Sequence, residues 1–509
     1  MRGLVRGLDA AAAALGVLAL AILATGGWTI AGVPLTRAED AVVALAVVVG
    51  ARALLSPPRL PRVRPRRAIV VAVAVYVLAM GFIVVSRHVA LRTHALDLGY
   101  YVQVVWNIAH GHAARVTLPP MHAWGDHFSP VLYLLAPLGW LGAVPAGLLL
   151  AQTVIFAAGA LAVYGFARRR LVDERAALAV ALLYLVNPSL HGINLRDVHP
   201  AAFAVALIPA AALAFDAGRP GWGLAALVLT LAGREDAAIA VIGFAVWLAL
   251  ARGRWLAGTL LAVASVGVLF VDVTWVMPHF RGEPYPHLGR YAHLGGSLGE
   301  IVRTLALPWR WLPEMLTASR LVYLVLMLAP LGFLPLAAPR AAAAVLPALL
   351  VNLLSADPVL FHHRAQYQGY VLPFLLLAAV EGYRALGLRL GDRRLLGRYR
   401  AGAVLGLGFV VSVALTARTV NDLGVRAWRL GQEQRAAHHL VGRVPPLASV
   451  TTNERLVPHL ADRPEVFIFP SAVGQARYVL ERPEALAREG APGYRERERR
   501  GPWVLLERE

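Results

Sequence analysis

The chain has 509 residues, 58% hydrophobic and 16% charged, and its 49 Lys and Arg against 30 Asp and Glu give a formal net charge of +19. Its mean hydropathy of +0.60 and sparse charge exclude an ordinary soluble domain, in which about a quarter of residues are charged. It contains no cysteine, which excludes a disulfide framework, a thiolate nucleophile and thiolate metal ligation.

The apolar residues come in continuous runs of about 15–23, which is spanning length for a helix and unlike the alternation of a β-barrel. Basic residues fall in short segments between the runs, at 59–67, 168–170, 252–254 and 389–400. Such scattering speaks for membrane topology and lipid headgroups as partners, and against nucleic acid.

Arg2 and Arg6 precede the first run, 10–30, so the N-terminus is expected in the cytoplasm, with that run kept as an uncleaved span of the cell membrane. Run 41–55 returns, and PPRLPRVRPRR combines helix-stopping prolines with arginines of the cytoplasmic side. Run 68–85 then delivers the polar stretch Leu91–Pro130 to the outside. Residues 131–141 are apolar but only about eleven long, with Pro137 inside. A crossing there would leave Arg168–Arg170 outside, so the segment is read as interfacial or re-entrant.

Further runs at 145–166, 176–190, 201–215, 221–231, 237–250, 255–277, 321–336, 341–354, 370–388 and 401–417 complete the pattern. The expected fold is an all-α polytopic membrane protein of about thirteen transmembrane helices. Residues 1–418 form this domain, with outward loops at 87–144 and 278–318. Residues 419–509 change character: LASVTT, PEVFIFP and WVLLERE are β-like and NERLVPHLAD is helical, so a small α/β domain outside the membrane is expected. REGAPGYRERERRG reads as a solvated loop or hairpin.

Five polar clusters share the outward side. They are Asp97/Tyr100/Tyr101/Gln103/Trp106/Asn107, Trp124/Asp126/His127, Asn194/Arg196/Asp197/His199, Arg234/Glu235/Asp236 and His362/His363/Arg364/Gln366/Tyr367. Converging, they would bind a phosphate-bearing lipid through arginines and activate a hydroxyl through a carboxylate. Residues 95–111 predict a short amphipathic helix, with Gln103 and Asn107 on one side. Asp97 near its start is either a helix cap or a functional carboxylate.

Asp126 and His127 are adjacent, which does not by itself give them a common aim, and neighbouring histidines such as His362 and His363 usually point their rings apart. No metal-binding spacing occurs, so a divalent cation, the one candidate cofactor, would draw oxygens from separate loops. Arg234, Glu235 and Asp236 sit between two short apolar segments, either as functional charges or as a headgroup turn with Asp236 as cap. GxGxxG and Walker A patterns are absent.

The segments LDLGYYVQVVWNIAHG, GDHFSPVLYLLAPLGWL, NPSLHGINLRDVHPAAFAVAL, GREDAAIAV and FHHRAQYQGYVLPFLLLAAVEG, with VTTNERLVPHLADRPEVFIFP near the end, resemble the bacterial membrane-protein family of domain of unknown function 2079. That family looks like a distant branch of the C-type-fold membrane glycosyltransferases, which use polyprenyl-phosphate-linked sugars. The resemblance implies sugar transfer to an envelope glycan, lipid or protein. It puts Asp97 where those enzymes carry an essential acid, as general base in an inverting transfer, and offers Arg234, or Arg196 and Arg364, for the donor phosphate.

Asp126, His127, Asp197, His199, Glu235 and Asp236 would support, and Tyr101, Gln103, Trp106, Asn107, His362, His363 and Tyr367 would line the acceptor or sugar site. The family's acidic pair is broken here, because Leu98 follows Asp97; a second carboxylate would come from Asp126, Asp197 or Glu235. Two other readings stand beside this one. A lipid or solute transporter would place paired charges at the midplane, and a noncatalytic envelope assembly protein would use its loops and tail as binding surfaces.

Overall fold

A computed structural model describes residues 2–55, 64–389 and 394–509. Much of the predicted cytoplasmic segments 57–67 and 389–400 lies outside the described residues. Helix α1 (Arg2–Thr25) and helix α2 (Ala38–Leu55) form a hairpin joined by the two-stranded β1 (Trp28–Ile30) and β2 (Val33–Leu35). Arg52 of α2 reaches Asp9 of α1 at 2.8 Å. Helix α3 (Pro65–Val89) opens with proline at its first position, where the missing N–H has no intrahelical partner to lose.

The protein is a largely α-helical, polytopic membrane protein, but with fewer long spans than thirteen. Among the described residues, five helices are long and apolar enough to cross a bilayer: Gly3–Thr25, Pro65–Val89, Val144–Arg170, Trp255–Arg281 and Gly402–Leu423. Two bent pairs, Glu174–Leu185 with Pro188–Asn194 at 41° and Pro308–Met315 with Ala318–Leu331 at 70°, bring the number to seven. The other runs make shorter helices, including Pro200–Asp216, Pro220–Leu231 and Pro339–Leu354. Twelve residues rise only about 18 Å, against roughly 30 Å of hydrocarbon. Proline and charge cut these runs: Pro209 lies within one helix, and α2 carries Glu39, Asp40 and Arg52.

Residues 131–141 do not span. They form a turn of helix, Leu132–Leu135, followed by the 3₁₀ segment Ala136–Trp140. Helix α4 (Tyr100–Ala109), preceded by the π-turn Ala95–Gly99, occupies the predicted amphipathic stretch. It is not a surface helix, since every residue from Tyr100 to Asn107 is buried.

What covers it is the C-terminal α/β region. Strands β3 (Arg115–Thr117) and β4 (Pro120–His122) form a small hairpin beside α4. The larger sheet runs β6 (Val466–Ile468), β5 (Val450–Thr452), β7 (Tyr478–Glu481), β9 (Trp503–Arg508) and β8 (Tyr494–Arg500) across its width. β5 pairs parallel with both β6 and β7, and β9 pairs antiparallel with β7 and β8. The segment YRERERR is therefore a hairpin strand, and its charges mark an exposed edge that resists further pairing.

There are two main cores. One lies among the membrane helices, around Phe156, Tyr184, Phe244, Trp247 and Phe374. The other joins α4 and its loop, through Leu98, Val102, Val105 and Trp124, to Leu440, Val450, Val457 and Leu505 of the C-terminal region. Gln103 binds the two together: its amide nitrogen donates to Thr117 Oγ1 at 2.8 Å and to the Pro464 carbonyl at 2.9 Å. The Val466 amide donates to the same Thr117 hydroxyl at 3.2 Å.

Candidate functional site

Gln152, fully buried in the Val144–Arg170 helix, fixes the 195–199 loop from beneath. It donates to the Asp197 carbonyl at 2.6 Å and accepts from the His199 amide at 2.8 Å. Asp197 holds a left-handed backbone, φ +63°, and its side chain accepts the His94 amide at 2.8 Å. This last bond ties the loop to the start of the π-turn that carries Asp97. Burial, with Asp97 nearby and opposed by the His94 amide, raises the Asp197 carboxyl to about 7.

Asp97 itself caps nothing. The π-turn and α4 have no side-chain cap. Half-buried, Asp97 has no hydrogen bond or ion pair among the described residues. It lies close enough to His199 and Asp197 to act on their charge. His199 is buried, its Nε2 has no partner, and burial lowers its pKa to about 4, so it is a neutral imidazole at pH 7. An unpaired carboxylate and an unpaired buried ring nitrogen thus face one region.

Arg196 acts on the charge of His199, and Arg364 lies near Arg196 in turn. Burial, with Arg418 and Arg196 nearby, holds the Arg364 guanidinium below its ordinary pKa; its one hydrogen bond is a long one, to Thr419 Oγ1 at 3.4 Å. The Arg196 side chain is half-exposed and has no hydrogen bond or ion pair among the described residues. Arg196 and Arg364 act on each other's charge, and neither guanidinium has an ion pair among the described residues, although Asp422 lies near Arg364; such a pair favours an anion. Gly192 packs on the Arg364 backbone so tightly that an added Cβ would come within 2.5 Å of its carbonyl oxygen.

Arg234 is a different case. Only 7% exposed, its Nε donates to Asp236 at 2.7 Å, and a second guanidinium nitrogen donates to the other carboxylate oxygen. The Tyr370 hydroxyl donates to Asp236 at 2.7 Å. Burial works to raise the Asp236 carboxyl, but the guanidinium and the tyrosine prevail and hold it at about 2. Asp236 is an ion-pair partner, not a helix cap. Tyr367 lies between two cations, with Arg234 5.8 Å and Arg290 5.3 Å from its ring centre.

Glu235, 1% exposed, gathers three loops. It accepts from His127 Nδ1 at 3.1 Å, the Phe128 amide at 3.2 Å and the Tyr285 hydroxyl at 3.3 Å. His127 stacks on His287 with ring centres 4.5 Å apart and planes 12° from parallel. His287 Nε2 donates to the Asp126 carbonyl at 3.1 Å and stands 3.7 Å from its carboxylate. Asp126, His127 and His287 can each turn a ligand atom to within 4.8 Å of the other two.

Two imidazoles and a carboxylate suit a zinc- or manganese-type cation, and a carboxylate behind His127 is the usual orienting partner of a ligating histidine. The three therefore form a potential divalent-cation site. His287 and Tyr285 escaped the sequence reading because they lie far along the chain in the second loop; their signal was the tyrosine–histidine pair in GEPYPHLGRY.

The remaining predicted residues divide. Gln103 and Asn107 are buried in structural bonds, Asn107 donating to the Arg115 carbonyl at 2.9 Å. Trp106 stacks on His110 at 4.1 Å. Tyr101 is buried but electrostatically close to Arg234, Asp126 and Asp97. His362 and His363 do not diverge: their rings stack at 5.2 Å and 25°, and burial and neighbouring cationic groups lower both pKa values, His363 to about 4.

The family model described as "Predicted membrane protein (DUF2079)" matches residues 87–503. The chain belongs to that family. Within this DUF2079 protein the match takes in α4, all five polar clusters and most of the C-terminal sheet, and it leaves out α1, α2 and nearly all of α3. No curated protein matches the chain.

Among solved structures, ArnT from Cupriavidus metallidurans bound to undecaprenyl phosphate aligns with a TM-score of 0.51 and 15% identity, over 86% of this chain and 97% of that one. Its apo form gives 0.50 and 15%, over 87% and 98%. The apo oligosaccharyltransferase of Archaeoglobus fulgidus aligns at 0.43 and 12%, over 81% and 69%. The fold of the chain thus resembles that of ArnT over most of both chains.

Proposed function

We propose that this DUF2079 protein is a glycosyltransferase of the bacterial plasma membrane, moving a sugar from a polyprenyl-phosphate donor to a hydroxyl of an envelope glycan, lipid or protein. The N-terminus lies in the cytoplasm, and the site and the C-terminal α/β region lie outside. The observation that carries the reading is Asp97, a half-buried carboxylate without a partner among the described residues, beside the unpaired Nε2 of His199. A carboxylate held so is available to take a proton.

In the transfer, Asp97 accepts the proton of the acceptor hydroxyl while its oxygen bonds to the anomeric carbon. The bond from that carbon to the phosphate oxygen breaks, and polyprenyl phosphate leaves with the electron pair. Arg196 and Arg364 bind the phosphate and stabilise the charge that grows on it. Neutral His199 orients the sugar through Nε2. Asp126, His127 and His287 would hold a divalent cation, which when bound supplies positive charge near the phosphate. Attack opposite the leaving group inverts the anomeric centre.

The test uses full-length protein in proteoliposomes with a radiolabelled polyprenyl-phosphate sugar and envelope extract. Asp97→Asn is expected to lower transfer by about 10²–10⁴-fold with an unchanged melting temperature. Retained transfer in Asp97→Asn sinks the assignment of the base. Movement of intact donor lipid between leaflets, without release of polyprenyl phosphate, points to transport instead.

A further inference from the structure

Two cavities meet at Asn421, where α1 and the Arg394–Val420 helix both finish. One, of about 410 Å³, is walled by Arg37, Glu39, Arg418 and Asn421. The other, of about 210 Å³, has Ile22 and Leu23 on its apolar side and Arg92, Asp422 and Arg426 on its polar side.

The acids here are already engaged. Glu39 pairs with Arg37 and accepts from Asn421 Nδ2 at 3.1 Å, while Asn421 Oδ1 accepts the Glu39 amide at 3.2 Å. Asp422 lies 3.5 Å from Arg87 and 3.3 Å from Arg92. Arg418 and Arg426 have no hydrogen bond or ion pair among the described residues, and both are exposed. The stem of Arg426 lies over Gly26, whose φ is +82° and where a Cβ would come within 3.0 Å of it. Five arginines thus stand against three carboxylates, Glu39, Asp40 and Asp422, and the guanidinium groups of Arg418 and Arg426 are paired with none of them.

The level of the cavities supplies the second clue. Apolar helices stop here, Leu20 of α1 is 67% exposed just below, and Trp428 stands half-exposed with an edge contact to Phe82. Tryptophan and arginine at the end of apolar spans mark the headgroup layer. Residues 37 and 39, and all of α1, precede the family-matched span 87–503, so these cavities are built partly from what the family match leaves out and lack the unpaired carboxylate of the Asp97 site.

We propose that the paired cavities bind the phosphate of an anionic phospholipid from the adjoining leaflet, through Arg418 and Arg426, with an acyl chain along the Ile22/Leu23 side of α1. The lipid fills the seam between the α1–α2 hairpin and the helical body. The cavities adjoin the Arg364 side of the candidate donor site, since Arg418 acts on the Arg364 guanidinium and Thr419 accepts its hydrogen bond, so the two readings are separated by which lipid the cavities retain.

The test is native mass spectrometry of the full-length protein released from bilayers of phosphatidylglycerol and phosphatidylcholine with matched chains. Wild type is expected to retain phosphatidylglycerol selectively. Arg418→Gln and Arg426→Gln are each expected to weaken that retention about fivefold, as loss of one cation near a lipid surface should. Arg418→Glu should abolish the selectivity, and because Arg418 is exposed its melting temperature should not fall in a neutral bilayer.

Equal retention of the two lipids, or variants as selective as wild type, overturns the proposal. So does undecaprenyl phosphate displacing phosphatidylglycerol at equal concentration, which would assign the cavities to polyprenyl phosphate.

Discussion

Replacing Asp236 by asparagine removes the charge that answers a guanidinium only 7% exposed. Arg234 and the Tyr370 hydroxyl hold the Asp236 carboxyl below its ordinary value against the effect of burial, so folding favours its ionised form. The substitution leaves Arg234 charged without its partner, and a buried pair broken on one side costs about 3–5 kcal/mol in all. The pair's contribution is present in full above the unfolded carboxyl's pKa, near 4, and is lost as the pH falls through about 2.

Denaturant titration of nanodisc-held protein at pH 7 reads the effect. Asp236→Asn and Arg234→Met should each be strongly destabilised, and Arg234→Met/Asp236→Leu should recover most of the loss. Asp236→Asn should not tighten donor binding, since Arg234 is engaged in the fold. The reasoning is refuted if Asp236→Asn falls within about 0.5 kcal/mol of wild type, or if the double variant is no better than the singles.

Glu235→Gln removes the carboxylate that orients His127 and should weaken cation binding about 10–100-fold, read by zinc or manganese titration; unchanged affinity would count against Asp126/His127/His287 as the site. Asp197 has its folded pKa raised to about 7, so the stability it contributes is complete below its unfolded pKa near 4 and is lost as the pH rises through about 7. Asp197→Asn should flatten that decline, leaving the variant more stable at pH 8 by about 1 kcal/mol or more. Gly192→Ala drives a methyl into the Arg364 backbone and should cost about 1–3 kcal/mol while raising the donor KM more than it lowers kcat; an unaltered KM would separate Arg364 from the donor phosphate.

The polar clusters of the candidate site were legible because charge in an apolar chain has few places to go. The five polar clusters stood out as interruptions, and Glu235 and His127 from two of them do meet at 3.1 Å. Their bonding was not legible: Arg234 and Asp236 look alike as ligands or as a pair until Tyr370, from a distant helix, is seen to complete them. Counting runs overestimated the spans, because hydropathy averages over Pro209 and the turns that stop a helix short of the bilayer's thickness.

The pattern of α4 was read as amphipathic, yet both its faces are buried, because the covering surface comes from residues more than three hundred positions later. The β-like units of the tail were visible locally, and their mixed parallel and antiparallel order was not.

The contact of α4 with the C-terminal sheet also bears on how this protein can be cut. Gln103, Thr117 and Val466 share one hydrogen-bonded junction over a common apolar core, so lifting the α/β part off would break that junction and expose the core. Expressed alone it would present Leu440, Val457 and Leu505 to water and clump, and the remainder would lose the roof over α4. Fusion partners and affinity tags belong on the charged β8 edge side, and the α/β part and the first loop should melt as one cooperative unit.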